Sequence, residues 1–174
     1  AISVLKNKSL TLIDGPSVKI LEKKISRLFG KKHGLMVNSG SSANLLGLAS
    51  FDLEKGSEVI TPTLTFSTTL APIYQLGLIP HFIDVDENTF TAKISQIKKA
   101  INKKTKAIII PNLLGNVPDW KEIYKIAKNY KLKIIEDSAD TIGYTINKNH
   151  YGKYSDVTTN SMYASHIITG AGFG

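Results

Sequence analysis

Apolar and polar residues alternate along this chain in two periods, one typical of helices and the other of buried strands. Between Ser17 and Leu28 the apolar positions return about every 3.6 residues, which predicts an amphipathic helix that stops at Gly30. Shorter apolar runs, typical of buried strands, alternate with further helical patterns. After a turn at residues 10–16, strands are predicted at 34–37, 58–60, 80–85, 107–110 and 133–137, and helices at 45–49, 69–76, 94–101 and 120–130.

Nearly continuous apolar strands between helices indicate an α/β fold, with a mainly parallel sheet flanked by helices on both faces. No repeat, low-complexity tract or linker interrupts the pattern, so one domain is predicted. Ligands of such sheets bind beyond the carboxyl ends of the strands. Four polar stretches fall at such ends: Ser41 with Ser42, Thr65 with Phe66, residues 137–140, and residues 161–166.

Composition places the chain among ordinary globular proteins. It has 174 residues, of which 42% are hydrophobic and 21% charged, and no apolar run is long enough to cross a membrane. The absence of cysteine is consistent with a reducing compartment, and residues 1–20 do not resemble a secretion signal. A cytoplasmic protein without membrane contact is therefore expected, and no metal site is expected.

The net charge of +8 is carried almost entirely by lysine, with Arg27 the only arginine. Readout of bases and phosphates favours arginine, and no lysine cluster is interleaved with aromatic residues. We therefore expect no nucleic-acid partner. A lysine-rich surface instead favours anionic metabolites, and nucleotide-linked substrates would suit it.

Small and polar residues between 38 and 44 separate a predicted strand from a predicted helix. The helix start offers unpaired amide donors and a partial positive charge, and the serine hydroxyls add donors, so a phosphate group could bind there. Ser41 and Ser42 could equally be simple helix caps. The stretch lacks the glycine spacing of a P-loop or a dinucleotide fingerprint, so both interpretations remain open here.

Three further side chains have both a structural and a chemical interpretation. Asp137 ends a buried strand, where it could cap a helix or hold a protonated pyridine nitrogen. Phe66 could belong to the core or stack on a ring. His166 could be buried against a carbonyl group or could move a proton near neutral pH.

The chain resembles the DegT/DnrJ/EryC1/StrS family of sugar aminotransferases, which are fold type I pyridoxal-phosphate enzymes. The resemblance runs from about residue 10 to Gly174 and rests on six stretches in the same order. They are residues 37–45, 58–66, 82–86, 105–109, 135–140 and 161–163, the last followed by a glycine-rich tail. The resemblance implies the large domain of the aspartate-aminotransferase-like fold.

The resemblance also implies a role for each matching residue. Ser41, Ser42 and Ser161 match positions that cradle the cofactor phosphate. Phe66 matches the aromatic that stacks on the pyridine ring, and Asp137 matches the carboxylate that pairs with the ring nitrogen. His166 departs from the pattern, because it stands where the aminotransferases carry the lysine that forms the internal Schiff base.

At this position the chain resembles the branch of pyridoxamine-phosphate-dependent nucleotide-sugar 3-dehydratases, in which histidine replaces that lysine. Asp140 matches the same branch and is expected in the cofactor site. The implied reaction is removal of the C3 hydroxyl from a nucleotide-linked 4-keto-6-deoxyhexose in deoxysugar or lipopolysaccharide biosynthesis, with His166 as acid and base. The alternatives are a sugar aminotransferase, an inactive relative of one, or a noncatalytic module that binds anionic ligands or nucleic acid.

Family members are about twice as long as this chain. Residues 1–174 are therefore expected to hold an N-terminal segment and most of the cofactor domain, truncated before the small domain, and to be inactive alone. The resemblance implies a homodimer and a possible reductase partner. An iron–sulfur cluster is possible only in the remaining C-terminal half.

Overall fold

Five parallel strands form the centre of the structure, a computed structural model that describes residues 2–9, 15–146 and 149–170. Two one-turn 3-10 helices, at Leu113–Gly115 and Tyr151–Tyr154, complete the elements. In chain order the helices and strands are α1 (Ile2–Lys6), α2 (Pro16–Leu28), α3 (Gly40–Ala49), β1 (Glu58–Pro62), α4 (Ser67–Gln75), β2 (Ile79–Ile83), α5 (Ile94–Ala100), β3 (Thr105–Pro111), α6 (Trp120–Tyr130), β4 (Lys133–Asp137), β5 (Thr145–Ile146), β6 (Asn149–His150) and β7 (Val157–Thr159).

The strand order in the main sheet is β2-β1-β3-β4-β7, and every pairing is parallel. This confirms the predicted α/β fold with a parallel sheet. Because the strands run in one direction, their carboxyl ends meet at one edge. In register there, Pro111 of β3 pairs with Asp137 of β4, which pairs with Thr159 of β7.

The two faces of the sheet carry separate apolar cores, which explains why β3 is apolar at every central position. Successive strand residues point to opposite faces. Ile108 and Ile110 belong to the core formed with α5 and α6, while Ala107 and Ile109 belong to the core formed with α3 and α4. All four residues are fully buried. A strand covered on both sides has no polar face, and its sequence therefore lacks alternation.

The predicted strand at residues 34–37 is wrong. This segment has no regular secondary structure, and Leu35 is 77% exposed. It lies beside a groove of about 360 Å³ between α2, α3 and β7, and Met36 N–H donates to the Glu22 carboxylate at 2.8 Å instead of to a strand. An apolar run becomes a strand only when another strand pairs with its backbone, and no described strand does so.

Several short elements went unpredicted, among them α1, the two 3-10 helices and three short strands. The β5–β6 hairpin and the edge strand β7 have only two or three residues in each strand, too few to give a periodic pattern. Most of the turn predicted at 10–16, and the tail beyond Gly170, lie outside the described residues. Across the described ranges, no helix has the length and apolar character that crossing a bilayer requires.

Replacing Ile109 by alanine should lower the free energy of unfolding of the full-length protein by about 2–5 kcal/mol, because it leaves a cavity in a fully buried position. Lys106→Ala, on an exposed position of the same strand, should change it by less than about 0.5 kcal/mol. Urea titration measures both values. Equal losses in the two variants would contradict the assignment of β3 as the central buried strand.

Candidate active site

A cavity of about 790 Å³ opens at the carboxyl edge of the sheet. Its walls come from the start of α3 and from the segments that follow β1, β3, β4 and β7. Of the residues proposed from sequence, those that line it are Ser41, Phe66, Asp137, Asp140, Ser161 and His166. Ser42 lies one residue further into α3 and is not among the lining residues. The parallel topology thus brings together side chains that are far apart in sequence.

Asp137 is the most buried ionisable group in the cavity wall, with 6% of its surface exposed. Its Oδ2 accepts hydrogen bonds from Asn44 Nδ2 at 2.9 Å and from Thr69 Oγ1 at 2.8 Å, and its Oδ1 accepts from Ala139 N–H at 3.1 Å. Burial raises the pKa of this carboxyl, and the hydrogen bonds from Thr69 and Asn44 oppose the rise. A cationic group in the cavity would favour the ionised form.

A turn, and not a helix, follows Asp137, so it is not a helix cap. Instead, a neighbouring side chain orients one of the groups that donate hydrogen bonds to Asp137. Thr159 Oγ1 donates to Asn44 Oδ1 at 2.6 Å, which leaves the Nδ2 end of that amide to face Asp137. The carboxylate is therefore held in one orientation at the end of β4.

Asn44, Thr69 and Thr159 were not proposed from the sequence. Each is buried, although each is polar. For Asn44 and Thr69 the available signal was a polar residue at a position of α3 or α4 that faces the sheet. Buried polar groups are almost always hydrogen-bonded, so such positions indicate a polar partner inside the protein.

The start of α3 approaches the loop after β7 closely. A Cβ atom added at Gly40 would lie 2.8 Å from Ser161 Cβ and 3.1 Å from Ser161 Oγ. Glycine is required at this contact because no larger residue fits. The amides of the first helical turn lack helical acceptors, so this junction with Ser161 can hold an anion such as a phosphate.

The helix cap is Ser39, so the interpretation of Ser41 or Ser42 as caps is wrong. Ser39 Oγ accepts from Ser42 N–H at 3.1 Å and lies 3.1 Å from Ser42 Oγ. Ser41 is exposed in the first turn and lines the cavity. Several adjacent serines have similar capping preferences, which is why the sequence did not distinguish them.

Phe66 precedes α4 and is 66% exposed, so it is not a core residue. Its ring lies in the cavity wall and is available to stack on a planar ligand. The neighbouring Thr65 contributes a buried hydroxyl that has no hydrogen-bond partner among the described residues. Both residues come from the loop after β1.

His166 lies beside Asp140, with 3.7 Å between His166 Nε2 and Asp140 Oδ1. Asp140 is held in turn, since its Oδ2 accepts from Leu114 N–H at 2.9 Å. Leu114 has a positive φ of 54°, an uncommon conformation for a branched residue, and this turns its amide toward the carboxylate. By resemblance Asp140 is expected in the cofactor site. In the structure it also lies next to His166.

The second ring nitrogen of His166, Nδ1, is buried and has no partner among the described residues, so the histidine is not paired to a carbonyl group. The imidazole thus has a carboxylate near one ring nitrogen and no described partner at the other.

Comparison with known proteins identifies relatives of this chain. The family model described as the DegT/DnrJ/EryC1/StrS aminotransferase family matches residues 1–174. A GDP-4-keto-6-deoxy-D-mannose 3-dehydratase of Yersinia pseudotuberculosis is 40% identical over 160 residues, which are 88% of this chain and 41% of that protein. The chain therefore spans less than half the length of this relative.

Solved structures of related proteins also resemble this chain. The Escherichia coli GDP-4-keto-6-deoxy-D-mannose 3-dehydratase with bound hydrated pyridoxal phosphate is 40% identical, with a TM-score of 0.78 over 85% of this chain and 39% of that chain. The pyridoxamine-phosphate form of a putative sugar aminotransferase from Streptococcus pneumoniae is 26% identical, with a TM-score of 0.90 over 99% of this chain and 47% of that chain. The fold is therefore that of the pyridoxal-phosphate aminotransferases.

Asp137→Asn should change the pH dependence of stability in the ligand-free, full-length protein. Because the folded pKa of Asp137 is raised, the folded protein binds more protons than the unfolded chain between the two pKa values, and wild-type stability falls as the pH rises through that window. The variant lacks this loss. The free energy of unfolding of the variant should therefore rise relative to the wild-type value as the pH rises through that window.

This relative gain should shrink as the pH is lowered, because protonation of the wild-type carboxyl removes the cost of burying its charge. Urea titrations at several pH values measure the difference. A difference that stays constant across them would contradict the burial of an ionisable group at residue 137.

Proposed function

Because this chain belongs to the DegT/DnrJ/EryC1/StrS aminotransferase family, we propose that the full-length protein is a pyridoxamine-phosphate-dependent 3-dehydratase of nucleotide-linked sugars. Its substrate would be a nucleotide-linked 4-keto-6-deoxyhexose in deoxysugar or lipopolysaccharide biosynthesis. One observation carries the proposal: His166 lies 3.7 Å from the carboxylate of Asp140, at the position that by resemblance corresponds to the lysine of the aminotransferases. The 3-dehydratase relatives at about 40% identity support it.

The cavity fits the cofactor of this family. The close contact of Gly40 with Ser161 leaves a cradle at the start of α3 for a phosphate, with Ser41 and Ser42 in the same helical turn. Phe66 would cover the pyridine ring. The buried carboxylate of Asp137 would pair with the protonated ring nitrogen, which would supply the positive charge that favours its ionised form.

When bound, pyridoxamine phosphate would supply an amine for the sugar ketone and a ring that accepts electrons. Asp137 would hold the ring nitrogen in its protonated form throughout the reaction. Without a lysine at residue 166, the protein would bind the cofactor by noncovalent contacts alone. That leaves the amine of the cofactor for the substrate.

His166 would move the proton of the reaction. It would accept the proton whose removal starts the elimination and would return it to the hydroxyl that leaves C3, which departs as water. Asp140 stabilises the imidazolium between the two events, because the salt bridge to Nε2 exists only while His166 is protonated. Leu114 N–H holds Asp140 in place meanwhile.

The rest of the enzyme is proposed from the length of the relatives. Residues 1–174 would form an N-terminal segment and most of the cofactor domain, inactive alone. The small domain, and an iron–sulfur cluster if one is present, would lie elsewhere in the protein. We also propose that the protein acts on a nucleotide-linked sugar, forms a homodimer and is cytoplasmic. A reductase is a further partner in this proposal.

A sugar aminotransferase is the second candidate, favoured by the TM-score of 0.90 to the Streptococcus pneumoniae protein. Transamination uses a lysine amine to shuttle the proton, and residue 166 offers an imidazole instead. Glutamate-dependent transfer of an amino group to a keto sugar, with no loss of water, would establish this candidate. Loss of the C3 hydroxyl would exclude it.

His166→Asn should lower the rate of C3 dehydration by at least about 100-fold, since asparagine cannot exchange a proton near neutral pH. The full-length protein would be mixed with pyridoxamine phosphate and a CDP- or GDP-linked 4-keto-6-deoxyhexose, and loss of water followed by mass spectrometry. His81→Asn is a matched control, because His81 lies on β2 and contacts Glu58 at 3.1 Å, away from the cavity. Full activity in His166→Asn would contradict the proposal.

A further inference from the structure

Glu136 and Asp137 are adjacent carboxylates that face opposite sides of the sheet. Asp137 lies with Asn44 and Thr69 on the side of α3 and α4. Glu136, with none of its surface exposed, lies on the side of α5 and α6. This follows from the alternation of side chains along β4. The proposed reaction uses Asp137 and gives no role to Glu136.

Glu136 is the acceptor at the centre of a buried polar network. Its Oε1 accepts from Asn112 Nδ2 at 3.0 Å and from Ser138 Oγ at 3.0 Å. Its Oε2 accepts from Ser155 Oγ at 3.3 Å, and Lys31 Nζ donates to that hydroxyl and to the Ser155 carbonyl. Burial raises the pKa of Glu136, and the hydrogen bonds from Asn112 and Ser138 oppose the rise. Of these partners Asn112 also lines the cavity, whereas Glu136 does not.

Asn112 links this network to the strand ends. Its amide nitrogen is within hydrogen-bond distance of Glu136, of Ser138 Oγ at 2.8 Å and of Thr141 Oγ1 at 3.1 Å. Its Oδ1 accepts from Trp120 Nε1 at 2.8 Å, and its backbone N–H donates to the Asp137 carbonyl at 2.8 Å. One side chain thereby joins the end of β3 to the turn after β4.

The same turn is held from its other side by Asn160, which follows β7. Asn160 Nδ2 donates to the carbonyl groups of Ser138 at 2.6 Å and Thr141 at 3.3 Å. The turn between these two residues carries Asp140. Asn112 also begins the loop whose Leu114 N–H donates to Asp140. The position of Asp140 beside His166 is thus set by a network that reaches from Asn112 and Asn160, which line the cavity, to Glu136 on the other face of the sheet.

We propose that Asn112 and Glu136 are positioning residues that fix Asp140, and through it His166, for proton transfer. Glu136 acts from the opposite face of the sheet, and Asn112 acts from the end of β3, where it lines the cavity with 1% of its surface exposed. A shift of about 1 Å in a catalytic group can lower a rate about 100-fold, so the network is a determinant of the turnover rate. This inference rests on the proposed function for the identity of the reaction.

Asn112→Asp tests the network in the full-length protein. The change keeps an oxygen for Trp120 but removes both amide donors and sets a second carboxylate against Glu136. We expect kcat to fall about 10- to 100-fold. The affinity for pyridoxamine phosphate, titrated by absorbance, should stay within about threefold, because α3, Phe66 and Asp137 keep their own partners. The Leu114 amide should lose protection against hydrogen exchange, measured by mass spectrometry on a peptide spanning residues 113–116.

Thr105→Val is the matched control for a loss of stability alone. Thr105 is 4% exposed at the opposite end of the same strand, and its hydroxyl accepts from Asn102 N–H at 3.0 Å. This variant should lose stability while keeping kcat and the exchange rate of residues 113–116. If Asn112→Asp keeps both wild-type values, or if Thr105→Val changes them as much, the positioning role is overturned.

Two variants, Glu136→Gln and Glu136→Leu, distinguish the effect of the hydrogen bonds that Glu136 accepts from the effect of its side-chain volume. The glutamine oxygen can still accept from Asn112 and Ser138, while the hydroxyl of Ser155 can rotate to accept from the new amide. Glu136→Gln should therefore retain kcat within about threefold and Glu136→Leu should behave like Asn112→Asp. Equal losses in both Glu136 variants would overturn the role of its hydrogen bonds.

Hydrogen exchange is measured without cofactor or substrate, so it separates this inference from the proposed function. Faster exchange at 113–116 in Asn112→Asp, in a protein whose wild type removes no water from the sugar, would support the network and contradict the assigned reaction. Normal dehydration in both wild type and Asn112→Asp would contradict the network and support the reaction.

Discussion

The buried carboxylate of Asp137 is the constraint on which the rest of the site depends. A carboxylate away from water is stable only with donors around it, and here they come from α3, α4 and the turn after β4. Those elements reach the same point because the parallel sheet brings its strand ends to one edge. Burial nevertheless raises the pKa of Asp137, so its hydrogen bonds do not fully offset the cost of burying the charge. A cationic partner in the cavity would complete it.

The two faces of β4 carry different parts of the site. On one face Asp137 meets the cavity, which Phe66 and the start of α3 also line. From the other face Glu136 accepts from Asn112, which together with Asn160 joins the ends of β3, β4 and β7. Proton transfer by His166 would depend on both faces. This division would give a function to a fully buried glutamate next to the aspartate that faces the cavity.

Much of this structure could be predicted from the sequence, and the exceptions have physical causes. Trp120–Tyr130 and Lys133–Asp137 were predicted with correct limits because their apolar patterns are bounded by a cap and a turn. Residues 34–37 are apolar like a strand, but pairing depends on distant segments. Asn44 and Thr69 were missed because their importance comes from their distance to Asp137, which no local pattern encodes. The roles of the site residues themselves stay predictions.

In the proposed function Asp137 keeps a ring nitrogen protonated, and nitrogen NMR observes that protonation. Full-length protein would be loaded with pyridoxamine phosphate carrying ¹⁵N in its pyridine ring. We expect the resonance of a protonated pyridinium in the wild type at neutral and mildly alkaline pH, and an unprotonated ring nitrogen in Asp137→Asn under the same conditions. An unprotonated ring in the wild type, or the same resonance in both proteins, would contradict it.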